Sequence, residues 1–298
     1  IYTAIKTDRK EDECKYSLWD EQIFTSNRKF ENLFLENKKE IEEKIEFFLN
    51  NKEWYDDRGI PYNLGIGLHG SPGTGKTSFI KALANKTNRD IVVLPLKIIH
   101  TKRELNTLFY ENTYNTYNVK NSKSFDKKII VFEDIDCIGD IVKKRDTLKE
   151  REIRKEVKNK ESKENDLVNT INKALDNTVQ MPMDPKMLYL DPLTLDDFLN
   201  LWDGIRETPG RIIVITSNHY DQLDPALIRP GRIDMTYEFK KVNHEILKEM
   251  HHCFYGKEIP KDALEKIEEY KYSPAEIVNY YMCNRNNENK YLSVLSNY

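Results

Sequence analysis

GSPGTGKT, residues 70–77, is the stretch that decides how this chain is read. It fits the pattern G-x-x-x-x-G-K-[ST] at every fixed position. Closely spaced glycines let a backbone turn tightly and aim several N–H groups inward at phosphate oxygens. Lys76 adds a point charge suited to β- and γ-phosphates, and the Thr77 hydroxyl can ligate Mg²⁺. A short apolar strand over 66–69 precedes the loop. A helix over 76–88 follows it and aims its positive dipole end at the same anion. At average composition a chance match arises in about 1 of 100 chains of this length. A plain glycine turn is the competing account, and the strand–loop–helix context weighs against it.

A second signal lies roughly 55 residues further on. IIVFEDIDC, residues 129–137, is an apolar strand that runs into acids. Alone, it could be the solvated end of a strand. Beside a phosphate loop, a carboxylate here can hold Mg²⁺ through its water shell, and another acceptor can orient an attacking water. Successive strand residues point to opposite faces. Glu133 and Asp134 can therefore divide these tasks only if the strand ends and turns. Asp136 and Asp140 supply turn character just beyond.

Working outward, strands and helices alternate. Strands are expected over 66–69, 91–96, 128–132, 211–216 and 235–239, and helices over 37–54, 76–88, 102–110 and 193–202. Ile41, Ile45, Phe48 and Leu49 recur at helical spacing in the first of these helices. The alternation predicts an α/β fold with an open parallel sheet and helices on both faces. After residue 242 the pattern is helical only, over 243–254, 261–271 and 274–287. The expected organisation is an upstream tail or flap over 1–36, with Trp19 and Phe24 as anchors. An α/β unit over 37–241 and a small helical unit over 242–298 follow. A stretch over 142–177, dense in charge of both signs, interrupts the α/β rhythm within an insertion over about 142–190. It reads as a solvated or disordered insertion, with a partner-facing role as the alternative.

Composition bounds the rest. The 298 residues are 39% hydrophobic and 33% charged, with a net charge of −3. That is enough apolar material for an ordinary core and gives no overall field for nucleic acid. No apolar run approaches the roughly 18 residues that span a bilayer. The chain begins with Ile1 rather than Met, which leaves an upstream anchor or targeting segment open. Cys14, Cys137, Cys253 and Cys283 are far apart and read as free thiols in a reducing, intracellular setting.

Taken in order, these motifs resemble those of the AAA ATPases. GIPYNLGIGLHGSPGTGKTSFIKALA (59–84) is similar to the family's entry loop, first strand and Walker A segment, and IIVFEDIDC to its Walker B segment. LTLDDFLNLWDGI (193–205) resembles the helix before sensor 1. RIIVITSNHYDQLDPALIRPGRID (211–234) resembles sensor 1 followed by the arginine-finger stretch. The resemblance covers roughly 37–290. EWYDDRGIPYNLG, the Glu-Asp order and YSPAEIVNYY (272–281) further resemble the mitochondrial AAA chaperones that assemble the Rieske subunit of respiratory complex III.

That resemblance implies a P-loop sheet followed by a helical lid, and ATP hydrolysis with Mg²⁺. It also implies a homo-oligomeric ring and a protein client. In the chaperone group an upstream membrane segment would place the protein at the mitochondrial inner membrane. Without one, the location would be cytoplasmic. Nucleotide contacts are implied for Ile60, Gly70, Ser71, Pro72, Gly73, Thr74, Gly75, Lys76, Thr77, Ser78 and Ala275. Glu133 falls where the family usually has Asp, reaching Mg²⁺ through water, with Thr77 as the direct ligand. Asp134 falls where the family has the Glu that polarises water. Asn218 matches sensor 1, with a strand-end cap as the alternative. Arg229 and Arg232 match the fingers that act on a neighbour's ATP, with a structural salt bridge as the alternative for Arg232.

His69 and His219 read as packing near the site, and HHC (251–253) as surface or lid packing, because adjacent helical residues do not converge on one point. Ser71 stands where Pro is frequent. PLKIIHTKREL (95–105) lacks the aromatic–hydrophobic–Gly triplet of threading unfoldases, which favours a gated chamber over a threading pore. A nucleic-acid motor or loader and a nucleotide-gated scaffold are the rival functions.

Overall fold

The computed structural model describes residues 1–7, 15–138 and 193–296. Asp140, Cys14 and the charged insertion over 142–190 lie outside the described residues.

A seven-stranded sheet organises the chain. In chain order its strands are β1 (Tyr2–Ala4), β2 (Trp19–Glu21), β3 (Asn63–Gly70), β4 (Asp90–Val93), β5 (Lys128–Phe132), β6 (Arg211–Ser217) and β7 (Met235–Phe239). In space they run β2-β1-β4-β5-β6-β3-β7. Every pairing is parallel except β1 with β2. The five strands expected from the sequence are β3 to β7, all in the parallel part, which β1 joins beside β4. Three-residue strands carry too little pattern to be read in advance, so β1 and β2 are additions. They are fixed to the edge by side chains: Tyr2 stacks on Tyr114 at 4.5 Å, and Trp19 meets the same ring edge-on at 4.7 Å.

The central strands are apolar throughout because both sheet faces are covered. Ile130 and Phe132 of β5, with Ile213 and Ile215 of β6, face one core. That core is covered by α4 (Lys102–Tyr110) and by α5 (Leu195–Asp203). Ile129, Val131, Ile212 and Val214 alternate to the other face. There they meet α1 (Lys38–Asn50) and α3 (Lys76–Thr87). Ile41, Ile45 and Phe48 are the buried stripe of α1, as their spacing predicts. The helix stops sooner than the apolar pattern suggests. Asn51 leaves helical geometry at φ −122° and ψ 39°, and a short α2 (Lys52–Asp56) follows. Thr101 with Glu104, and Thr194 with Asp197, form reciprocal capping boxes that start α4 and α5.

A third apolar cluster gathers α6 (His244–Tyr255), α7 (Lys261–Leu264), α8 (Pro274–Asn284) and α9 (Glu288–Ser296). The helix expected over 261–271 is only one turn long. Tyr270 adopts a left-handed φ of 59° that no α-helix accommodates. Conversely, α9 is a further helix that lies beyond the last one expected, over 274–287. His251 is fully buried here, with Nε2 3.0 Å from Glu288 and Nδ1 3.0 Å from the Lys257 carbonyl. It is a lid-packing residue. Phe34 also packs against this cluster, while its neighbours Leu33 and Leu35 belong to the α1–α3 core. Among the described residues no helix is long and apolar enough to cross a membrane.

Candidate nucleotide site

The phosphate loop leaves the C-terminal end of β3 and enters α3. Gly70, Gly73 and Gly75 take φ of 131°, 78° and 115°, which L side chains rarely adopt. At Gly70 a Cβ would also lie 2.2 Å from the Phe239 carbonyl oxygen of neighbouring β7. Thr74 is buried and ties the loop across itself, its hydroxyl donating to Ser71 O at 2.7 Å. Ser71, Pro72, Gly73 and Thr77 are exposed, and Ser78 is half-buried in the first turn of α3. Among the described residues no side chain caps this helix start, and its first turn holds no acid. An uncapped, glycine-cradled helix start suits an anion.

Lys76 fills the mouth of the loop. Its Nζ donates to Gly70 O at 2.5 Å, Asn218 Oδ1 at 2.8 Å and Ser71 O at 3.1 Å. Burial lowers its pKa, and the charges of Asp134 and Asp136 pull it back up. The ammonium is thus held by neutral oxygens and within reach of acid charge, a setting that a phosphate would improve.

Strand β5 ends at Phe132, so both acids fall in the turn that follows. Asp134 takes a left-handed φ of 45°. Asp tolerates that region better than most residues. Its N–H donates to Thr216 Oγ1 at 2.8 Å, which anchors the turn to β6. Burial raises the Glu133 pKa, the Asp134 charge raises it further, and Lys81 opposes both. Such a carboxylate gains from a cation nearby.

Strand order then does what sequence order could not. Because β6 lies between β5 and β3, its end faces both the acids and the phosphate loop. Asn218, one residue past β6, accepts from Lys76 through its side chain. Its backbone N–H donates to Asp136 Oδ1 at 3.2 Å. Lys76, Asn218 and Asp136 form a continuous ladder across three strand ends. Asp136 is a participant that sequence reasoning treated only as a turn former. Its place in an acid cluster beside the phosphate loop was the available signal.

The remaining expected residues fall in two places. Ala275 lies in the first turn of α8, and its N–H donates to Gly73 O at 3.3 Å, so the helical unit touches the phosphate loop directly. Ser273 caps that helix and Glu276 returns the bond, with Pro274 at the first helical position. Ile60 is exposed on the loop after α2, its N–H bonded to Tyr55 O at 3.0 Å. Arg229 and Arg232 are brought together elsewhere. Both reach Asp203 Oδ2, Arg229 at 2.6 Å and Arg232 at 3.5 Å. Arg232 is buried and donates to Ala226 O at 2.6 Å, whereas Arg229 is largely exposed. Asp203 was quoted within a motif but given no role in advance. His69 stacks on Tyr220 at 4.6 Å, and burial lowers its pKa. His219 is exposed.

A parallel sheet with a glycine-cradled lysine at the end of one strand and turned acids two strands away defines a P-loop nucleotide-hydrolase fold. Residues 66–241 match the ATPase family associated with various cellular activities, AAA, and the chain belongs to that family of ATP-hydrolysing enzymes. It is similar to the Probable mitochondrial chaperone BCS1-B of Dictyostelium discoideum, at 32% identity over 260 residues, 83% of this chain and 49% of that one. It is similar to the Mitochondrial chaperone BCS1 of Homo sapiens, at 32% over 248 residues, 81% of this chain and 48% of that one. The Putative AAA family ATPase L572 of Acanthamoeba polyphaga mimivirus is 36% identical over 191 residues, 63% of this chain and 91% of that one. The chain spans about half the length of the mitochondrial chaperones it matches.

Proposed function

We propose that this chain is the motor of an oligomeric AAA ring that couples ATP hydrolysis to remodelling or translocation of a protein client. The ladder Lys76–Asn218–Asp136, with Asp134 turned out of β5 beside it, carries the proposal. It brings an ammonium, an amide and carboxylates together at adjoining strand ends, which supports reading them as phosphate-binding cation, γ-phosphate sensor and acids of the site.

In this reading the loop N–H groups and Lys76 hold the β- and γ-phosphates, with Ile60 and Ala275 closing on the base and ribose side. Asp134 accepts a hydrogen bond from the attacking water and orients it toward the γ-phosphorus. Asn218 gives up its bond to Lys76 when phosphate takes that place. Arg229, the more exposed of the two arginines, reaches a neighbouring subunit's site after leaving Asp203. The residues suit Mg²⁺ as well. The Thr77 hydroxyl and the Glu133 carboxylate are hard oxygen donors. Among the described residues no cluster of three His, Cys, Asp or Glu could hold a metal by itself. When bound, Mg²⁺ would neutralise charge on the phosphates.

The bond from Ala275 to Gly73 ties the helical unit to the phosphate loop, which supports lid movement as the output. The likeness to proteins named mitochondrial chaperones supports a protein client and work in the mitochondrion as part of the proposal.

The test is Asp134→Asn, followed by phosphate release and by binding of a fluorescent ATP analogue. Binding is expected to persist while turnover falls about 100-fold or more. Unchanged turnover would reject the role of Asp134.

A further inference from the structure

The loop that carries Arg229 and Arg232 is fastened to β3, the strand that runs into the phosphate loop. One carboxylate does the fastening. Asp234 Oδ2 accepts from the Gly65 N–H at 2.9 Å, and Oδ1 accepts from the Gly231 N–H at 3.1 Å. The Asp234 N–H returns a bond to Gly65 O at 2.9 Å. At this point the two backbones touch: a Cβ on Gly65 would lie 1.8 Å from the Arg232 carbonyl oxygen. The loop is stiff in itself. Arg229 O accepts from the N–H groups of both Arg232 and Ile233 at 3.1 Å, and Gly231 turns the chain at φ 88°. Arg232 is buried within the loop, so Arg229 is the member of the pair that projects.

We infer that Asp234 is a positioning residue for the arginine that acts in trans. It clamps the finger loop onto β3, so the strand that ends in one subunit's phosphate loop sets where that subunit's Arg229 is offered to its neighbour. The inference rests on the ring reading above and adds to it a named link between a subunit's own site and the next. The chemistry asks for a carboxylate. Two donors from two segments need two acceptor oxygens, and an asparagine would turn an N–H₂ toward one of them. Asp234 itself is exposed, so its removal opens no cavity in the core.

Mixed assemblies separate this role from a merely structural one. Asp234→Ala and Asp234→Asn are assayed alone, then combined in equal amounts with Asp134→Asn subunits, which keep the finger but lack the water-orienting acid. Arg229→Ala combined with the same subunits is the control. Alone, both Asp234 variants are expected to bind the ATP analogue within about twofold of the parent and to lose about 10- to 100-fold in turnover. Mixed, turnover should rise several-fold above the sum of the separate assays, because intact sites then receive a well-placed finger from the other subunit. A gain with Arg229→Ala but none with Asp234→Ala or Asp234→Asn overturns the inference and leaves the trans finger standing. No gain in either mixture removes the trans finger and the inference with it. Parent-level turnover of Asp234→Ala alone also overturns it. If that variant does not fold, the near-isosteric Asp234→Asn carries the same comparison.

Discussion

Lys128 heads β5, the strand that ends at the acids, and it is almost completely buried. Its Nζ donates to Glu111 O at 2.6 Å, Tyr114 Oη at 2.9 Å and Asn112 Oδ1 at 3.0 Å. Burial pushes its pKa down to about 7 from 10.5, with the Glu111 charge opposing. The folded chain therefore releases this proton near neutrality while the unfolded chain keeps it to about 10.5. Between those values the unfolded state binds more protons, so stability must rise with pH. Integrating the two titrations from about pH 7 to about pH 9.5 gives about 3 kcal/mol. Lys128→Met removes the titrating group and keeps most of the length. Urea unfolding of both proteins across that range, followed by tryptophan fluorescence, reads the effect. Trp19 lies edge-on to Tyr114 and reports locally. The stability of the parent relative to the variant should grow by about 3 kcal/mol as pH rises. A difference that stays constant with pH would show that Lys128 keeps its charge at an ordinary pKa, and the desolvation reasoning would be wrong.

Two further outcomes follow from the backbone. Glu133→Asp combined with Asp134→Glu restores the commoner order of acids but puts Glu at φ 45°. Turnover should fall about tenfold and the melting temperature by a few degrees, as expected for about 1 kcal/mol of backbone strain. Undiminished phosphate release would make the order incidental. Gly65→Ala drives a Cβ to 1.8 Å from the Arg232 carbonyl oxygen, so the loop that carries Arg229 and Arg232 must retreat by about an ångström and lose both bonds between Gly65 and Asp234. The cost is about 3 kcal/mol. Thermal unfolding checks it, and an unchanged melting temperature would mean that the loop shifts freely.

Much of the fold was legible because its signals are local. Ile129 to Phe132 is apolar at every position, which marks a strand covered on both faces. Three closely spaced glycines followed by Lys-Thr announce a phosphate-loop motif with no help from the rest of the chain. The turn at the acids was also foreseeable, since Glu133 and Asp134 cannot serve one site from a regular strand. Other features were not legible. The end of α7 at Leu264 and the left-handed Tyr270 carry no local signal, and β1 and β2 depend on where Tyr114 offers a ring to Tyr2 and Trp19.

By itself, then, the sequence determined the five parallel strands of the motif-bearing sheet, the phosphate-loop motif and which acids are available, because glycine content, side-chain charge and apolar period act over a few residues. The tertiary structure decided which of these meet. Only the order β5-β6-β3 places Asn218 between Lys76 and Asp136. Only the folded loop sets Arg229 and Arg232 on Asp203 and fastens them through Asp234 to Gly65. These partners are far apart along the chain. They become neighbours when apolar faces are buried against one another, and no local pattern encodes that choice.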